Sequence, residues 1–110
     1  MQNADAVFAA LSDPTRRGIY RELARGGADT ASDLARQLPI SRQAVSKHLA
    51  ALADAGLVAS HRSGRETHYR PTPEPLAEAA AWMSEVGALW DARLSSLARL
   101  VEQPPRPRAE

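Results

Sequence analysis

The stretch Ile40-Ser41-Arg42-Gln43-Ala44-Val45-Ser46-Lys47-His48-Leu49-Ala50-Ala51-Leu52-Ala53-Asp54-Ala55-Gly56-Leu57-Val58 reads as one helix with both ends written in. Ser41 suits the N-cap, where its hydroxyl can accept from the free N–H groups of the first turn. Gly56 suits the left-handed residue just past a helix end. Between them Val45, Leu49, Leu52 and Ala53 recur at helical spacing and form an apolar stripe. The opposite face carries Arg42, Gln43, Ser46, Lys47 and Ala50. It holds two cations, an amide, a hydroxyl and a small residue, with no carboxylate. Such a face can lie against phosphates and read base edges in a major groove. An ordinary solvated face that happens to lack acids is the plainer reading.

Upstream, Thr30-Ala31-Ser32-Asp33 has the form of a capping box with Asp in place of Glu. It opens a brief helix with Leu34 and Leu38 as apolar positions, and Leu38-Pro39-Ile40 makes a tight turn into Ser41. Two short helices so joined are a helix-turn-helix, whose second member is the recognition helix. Earlier still, Ala4 to Leu11 predicts a first helix with Val7, Phe8 and Leu11 on one face. Asp13-Pro14 then caps and starts a second helix to about Arg25, ended by Gly26-Gly27. In that helix Ile19 and Leu23 point inward, and Arg16, Arg17 and Arg21 point largely outward.

After Gly56 the period changes. Leu57–Arg62 and Arg65–Arg70 flank Ser63-Gly64, which suits a two-residue hairpin turn. A hairpin after a helix-turn-helix is a wing, and Arg62 and Arg65 bracket its tip, within reach of the DNA backbone or minor groove. Pro71, Pro73 and Pro75 stop the strands. From about Glu74 to Glu102 the sequence predicts a long helix in which Leu76, Ala80, Met83, Gly87, Trp90, Leu94, Leu97 and Val101 follow a heptad spacing. A seam of that length wants a partner helix in a second subunit, although burial within one monomer would also use it. Residues 104–110, rich in Pro and Arg, read as a disordered tail, which leaves 1–103 as a single winged helix-turn-helix DNA-binding and dimerisation domain.

The chain has 110 residues and no cysteine, so a disulfide framework or thiolate metal site is excluded. The formal net charge of +1 hides an uneven distribution. Residues 41–70 hold five basic and two acidic side chains, whereas residues 71–103 hold two basic and five acidic ones. Positive charge thus sits on the segment with the features of a DNA reader, and the predicted assembly helix is acidic. No apolar run reaches the ~20 residues of a membrane span, and Met1-Gln2-Asn3-Ala4-Asp5 lacks the regions of a signal peptide. A cytoplasmic, nucleoid-associated protein without membrane contact is expected. No Ser/His/Asp ordering, P-loop or dinucleotide fingerprint is present, so neither catalysis nor a cofactor is expected.

The run Ala9-Ala10-Leu11-Ser12-Asp13-Pro14-Thr15-Arg16-Arg17, then Leu34 through Leu49, then Gly56-Leu57-Val58 and Gly64-Arg65, resembles ArsR-type winged-helix transcriptional repressors. The resemblance spans about residues 4–102. It implies a mainly α fold with a small β-hairpin, in the order α1-α2-α3-α4-hairpin-α5. It further implies a homodimer through the first and last helices, whose recognition helices enter successive major grooves of a palindromic promoter site. Val7, Phe8, Leu11, Leu76, Ala80, Met83, Trp90, Leu94 and Leu97 would form the interface. On double-stranded DNA, Gln43, Ser46 and Lys47 would face base edges, and Ser41, Arg42, His48, Arg62 and Arg65 would hold phosphates. His48 has a competing place packing beside Ala44 and Ala51. The sequence departs from metal-sensing members: Ala31-Ser32-Asp33-Leu34-Ala35 has no thiol, and residues 72–102 have no histidine. His61 and His68 could face one side of the wing, but two imidazoles on a solvated hairpin are the simpler reading. A member without a metal is expected, and a small-molecule or protein inducer, if there is one, stays unidentified. A winged helix serving only as a protein-interaction module is the alternative.

Overall fold

The structure, a computed structural model, describes residues 2–102, with side chains from Ala4 onward. The expected tail at 104–110 lies outside the described residues. The elements run α1 (Gln2–Ala10), α2 (Pro14–Arg25), α3 (Ala31–Gln37), α4 (Arg42–Asp54), β1 (Val58–Ser63), β2 (Glu66–Pro71) and α5 (Pro73–Glu102). Contacts divide the chain into two units, one ending at Ala79 and the other starting at Ala80.

The first unit is built from helix starts and stops that local chemistry dictates. Asp13 caps α2 by accepting from the N–H groups of Thr15 and Arg16 at 2.8 and 3.1 Å, and Pro14 fills the first helical position. Thr30 Oγ1 accepts from Asp33 N–H at 3.1 Å and Ser41 Oγ from Ala44 N–H at 3.1 Å. The Asp33 carboxylate in turn bonds the Thr30 side chain and pairs with Arg36 one turn on. At the far end of α4 the chain closes with Gly56 N–H to Ala53 O and Leu57 N–H to Leu52 O, both 2.9 Å. Gly56 sits at φ 76°, where a side chain would be strained.

Ile19, Leu34, Leu49, Leu52, Leu57, Val7 and Val45 are the largest fully buried side chains and form one core. The stripe of α4 packs as spaced except for Ala53, which lies at the stripe's edge and is exposed. Val7 is 0 % exposed. A side chain with no free surface in one chain cannot form an interface contact, so Val7 belongs to the core rather than to a subunit contact. Arg16 and Arg17 do not simply point outward. Their Nη1 groups donate to Ala10 O at 3.1 Å and Leu11 O at 2.6 Å, capping carbonyls that the end of α1 leaves unpaired.

The hairpin pairs β1 with β2 antiparallel, from Val58↔Pro71 to Ser63↔Glu66. The two-residue loop is therefore Gly64-Arg65, one position later than Ser63-Gly64. Gly64 has φ 64° and, among the described residues, no non-glycine has positive φ, the sign pattern of a type II′ turn with glycine first. The wing joins the body where Thr72 N–H donates to Leu57 O at 2.8 Å. The first turns of α5 add Leu76 and Ala79 to the core.

The second unit is the remainder of α5. From Ala80 to Glu102 no side chain is buried, and Met83, Leu89, Trp90, Leu94, Leu97, Leu100 and Val101 are 50–77 % exposed.

Candidate nucleic-acid interface

The N-terminal half of α4 presents Arg42, Gln43, Ser46 and Lys47 together on one exposed face. Their spacing of one, three and one residues puts them on adjacent turns of the same side. The buried side of the helix, Val45, Leu49 and Leu52, fixes that orientation by locking the opposite stripe into the core. No acidic residue lies in the first turn of α4, so the positive end of the helix dipole adds to the two cations. Among the described residues no hydrogen bond or ion pair occupies the side chains of Arg42, Gln43, Ser46 or Lys47. They are available to a partner. Ser41 is exposed too, but its hydroxyl is engaged in capping Ala44.

The wing brings its two arginines to the same neighbourhood. Arg42, Ser46, Arg62 and Arg65 line one recess of about 240 Å³, together with Thr30 and Ser32 at the start of α3. Three guanidiniums against the one carboxylate of Glu66 leave this concave surface net positive, and each guanidinium offers a planar fork matched to phosphate oxygens of an anionic backbone. Sequence spacing could not supply Thr30, Ser32, Thr67 and Tyr69 as further lining residues. They come from α3 and β2, and only the tertiary fold sets them beside α4.

His48 stands apart from the other expected DNA contacts. It is half-buried and lies close to the carboxylate of Asp13. The backbone N–H of Arg16 is the main cause holding that carboxyl below its usual range. The N–H of Thr15 and the neighbouring His48 and Arg16 side chains reinforce it, and desolvation opposes it. His61 and His68 are cross-strand partners whose rings stack with centroids 5.4 Å apart. His68 Nδ1 lies 2.9 Å from Asp29 Oδ2, a contact the sequence does not suggest. Among the described residues no group of three or more His, Cys, Asp or Glu side chains is arranged to hold a metal ion.

Of the residues expected at a subunit interface, Ala80, Met83, Trp90, Leu94 and Leu97 are exposed, whereas Phe8, Leu11 and Leu76 are half-buried against the core.

Residues 11–61, which hold the helix-turn-helix and β1 up to His61, match the family model described as a helix-turn-helix domain. The chain is 37 % identical over 101 residues to the HTH-type transcriptional regulator Rv2034 of Mycobacterium tuberculosis, covering 92 % of this chain and 91 % of that protein. A solved ArsR-like transcriptional regulator from Rhodococcus sp. RHA1 is 46 % identical, covers 94 % of this chain and 96 % of its own, and superimposes with a TM-score of 0.71. The chain belongs to the ArsR-type winged helix-turn-helix transcriptional regulators. Within this family it is also similar to the transcriptional repressor SdpR of Bacillus subtilis, 40 % identical over 77 residues, 70 % of this chain and 84 % of that one. The ArsR-type fold accounts for the order of elements, with α3 and α4 as the helix-turn-helix and β1–β2 as the wing. No helix among the described residues is long and apolar enough to cross a membrane.

Proposed function

We propose that this regulator is a homodimeric repressor that binds an inverted-repeat promoter site, acting on the nucleoid in the cytoplasm. The observation that carries the reading is the acid-free, unoccupied face of α4 standing beside Arg62 and Arg65 of the wing. Gln43 can pair bidentately with adenine, Lys47 can donate to guanine O6 and N7, and Ser46 can bond to either kind of edge. Arg42, Arg62 and Arg65 hold phosphates and set register, with Ser41 at the helix start. His48 contributes at the margin, since its side chain is half-buried on the flank of the helix.

Dimerisation rests on α5. Met83, Trp90, Leu94 and Leu97 stand exposed in a row, the kind of contiguous apolar face that marks an interaction surface, and their heptad spacing suits a second copy of the same helix. Two-fold pairing sets the recognition helices about one turn of DNA apart, ~34 Å. A ligand that altered packing along the α5 seam would alter that separation, which supplies a route for induction without a resident metal.

The test is selection of genomic fragments by the purified protein at ~150 mM salt, where non-specific electrostatic binding is weakened, followed by footprinting. A protected inverted repeat with half-sites one turn apart supports the proposal. Equal, salt-sensitive retention of every fragment refutes specific repression. No retention at low salt turns the assignment to a protein-interaction module.

A further inference from the structure

We propose that Asp29 and His68 form a latch that fixes the wing to the body and thereby positions Arg62 and Arg65 for DNA. The inference rests on the proposed DNA-binding role and adds to it two residues that touch no DNA.

Asp29 is well placed to be an anchor. It lies in the linker between α2 and α3, held on one side by Ala28, 7 % exposed, and on the other by Thr30, 6 % exposed. Its backbone is thus pinned to the core while its own side chain reaches outward. From that position it grips β2 twice. Its carbonyl accepts from Tyr69 N–H at 2.8 Å, and its carboxylate meets His68 Nδ1 at 2.9 Å. The two residues are far apart in sequence, so the grip ties the wing to a distant part of the chain.

The wing needs such a tie. A two-stranded hairpin is marginal by itself, and β1 is exposed from Ser60 to Ser63. The His61↔His68 pair directly precedes the Arg62↔Thr67 pair along the ladder. Whatever holds His68 therefore sets the direction in which Arg62 and the Gly64-Arg65 loop leave the body.

The charges around His68 make the grip sensitive to pH. Its imidazole faces Asp29 from the linker, Asp33 from α3, Glu66 from its own strand and the stacked ring of His61 from β1. Asp33 is itself paired with Arg36. The hydrogen bond to Asp29 is the main cause that raises the His68 pKa above the ordinary 6.5, and the charges of Asp29, Glu66 and Asp33 act in the same direction against desolvation. A raised folded pKa means the charged pair is complete below the ordinary histidine value. It weakens as pH rises through the raised value, leaving a neutral hydrogen bond. The latch is therefore firmest on the acid side of neutrality.

The test uses the full chain and a fluorescein-labelled duplex of mixed sequence at low salt, read by anisotropy from about pH 6 to about pH 8.5, the range histidine titrates. His68→Gln and Asp29→Asn are compared with the unaltered protein. Exchange of the Tyr69 amide, corrected for intrinsic rates, is followed in parallel without DNA. The unaltered protein should lose roughly two- to fivefold more affinity across the range than either variant, the scale of a partly exposed ion pair. Protection of the Tyr69 amide should fall over the same interval and be low throughout in His68→Gln. Parallel binding curves, or Tyr69 protection indifferent to pH and to the substitution, overturn the latch. If the unaltered protein binds no duplex, the DNA-binding reading fails by itself. The Tyr69 exchange then decides the latch: pH-dependent protection lost in His68→Gln upholds it as a wing anchor, and its absence overturns it.

Discussion

The amide of Leu57 donates to the carbonyl of Leu52 across 2.9 Å, and this bond turns the end of the recognition helix into the first strand of the wing. Both residues are fully buried, so the helix that faces outward at Lys47 and the hairpin that carries Arg62 and Arg65 share one packed corner. Gly56, between them in the chain, makes the corner possible by adopting φ 76°. The geometry of the candidate interface is set there.

Gly56→Ala should therefore destabilise the fold by about 1–2 kcal/mol, the cost of a left-handed backbone for a residue with a Cβ. The added methyl group would meet Pro75 Cγ at 3.5 Å, an ordinary contact, so the loss comes from the dihedral and not from a clash. Denaturant unfolding at fixed temperature measures it; a change within experimental error would show that the corner relaxes without the glycine.

Lys47 and Arg65 should separate when each is replaced by alanine. Lys47→Ala is expected to weaken binding by ~1–3 kcal/mol at the selected site and to relax preference at one base pair. Arg65→Ala should lower affinity for all sequences and reduce the slope of log affinity against log salt by about 1. Titrations against a panel of single-base variants at several salt concentrations distinguish the two patterns. Identical behaviour of both variants would remove the distinction between reading and positioning.

Leu97→Glu addresses the apolar row of α5. Leu97 is 57 % exposed, so the substitution costs the single chain little, but a carboxylate on a helix seam would have to lose its water on pairing. The variant should sediment as a monomer at concentrations where the unaltered chain is a dimer, and bind the inverted repeat far more weakly. A variant that remained dimeric would place the subunit contact elsewhere.

Asp13 supplies a pH dependence of stability. Its carboxyl is held below the usual 3.8, chiefly by the Arg16 backbone N–H. A depressed folded pKa contributes stability above the ordinary value and loses it as pH falls through the depressed one. Asp13→Asn keeps a good N-cap but has nothing to titrate. Its stability difference from the unaltered protein should thus shrink on acidification, as read from urea midpoints at about pH 7 and about pH 3. A constant difference across that interval would mean that the Asp13 carboxyl has the same pKa in the folded and unfolded chain.

Much of the candidate site is legible in the sequence because it lies on one helix. Ser41, Arg42, Gln43, Ser46 and Lys47 fall within two turns, and the spacing of Val45, Leu49 and Leu52 says which side is left for them. The wing was readable as two short strands around a glycine, although the loop proved to be Gly64-Arg65 because Ser63 still pairs with Glu66. The arginines of α2 are legible only in part: Arg17 and Arg21 are exposed as their spacing predicts, and Arg16 is half-buried. Arg16 and Arg17 look like surface charge in a helical wheel, yet a long guanidinium can reach back over the turn to the end of α1.

The sequence by itself determined the order of elements, their caps and their buried stripes, since these depend on interactions within a few residues. Only the tertiary structure decided which surfaces those elements share. It put Val7 in the core, gathered Arg42, Arg62 and Arg65 around one recess, and brought Asp29 to His68. Each of these depends on packing between segments distant in the chain, where no periodicity records which neighbour a side chain will meet.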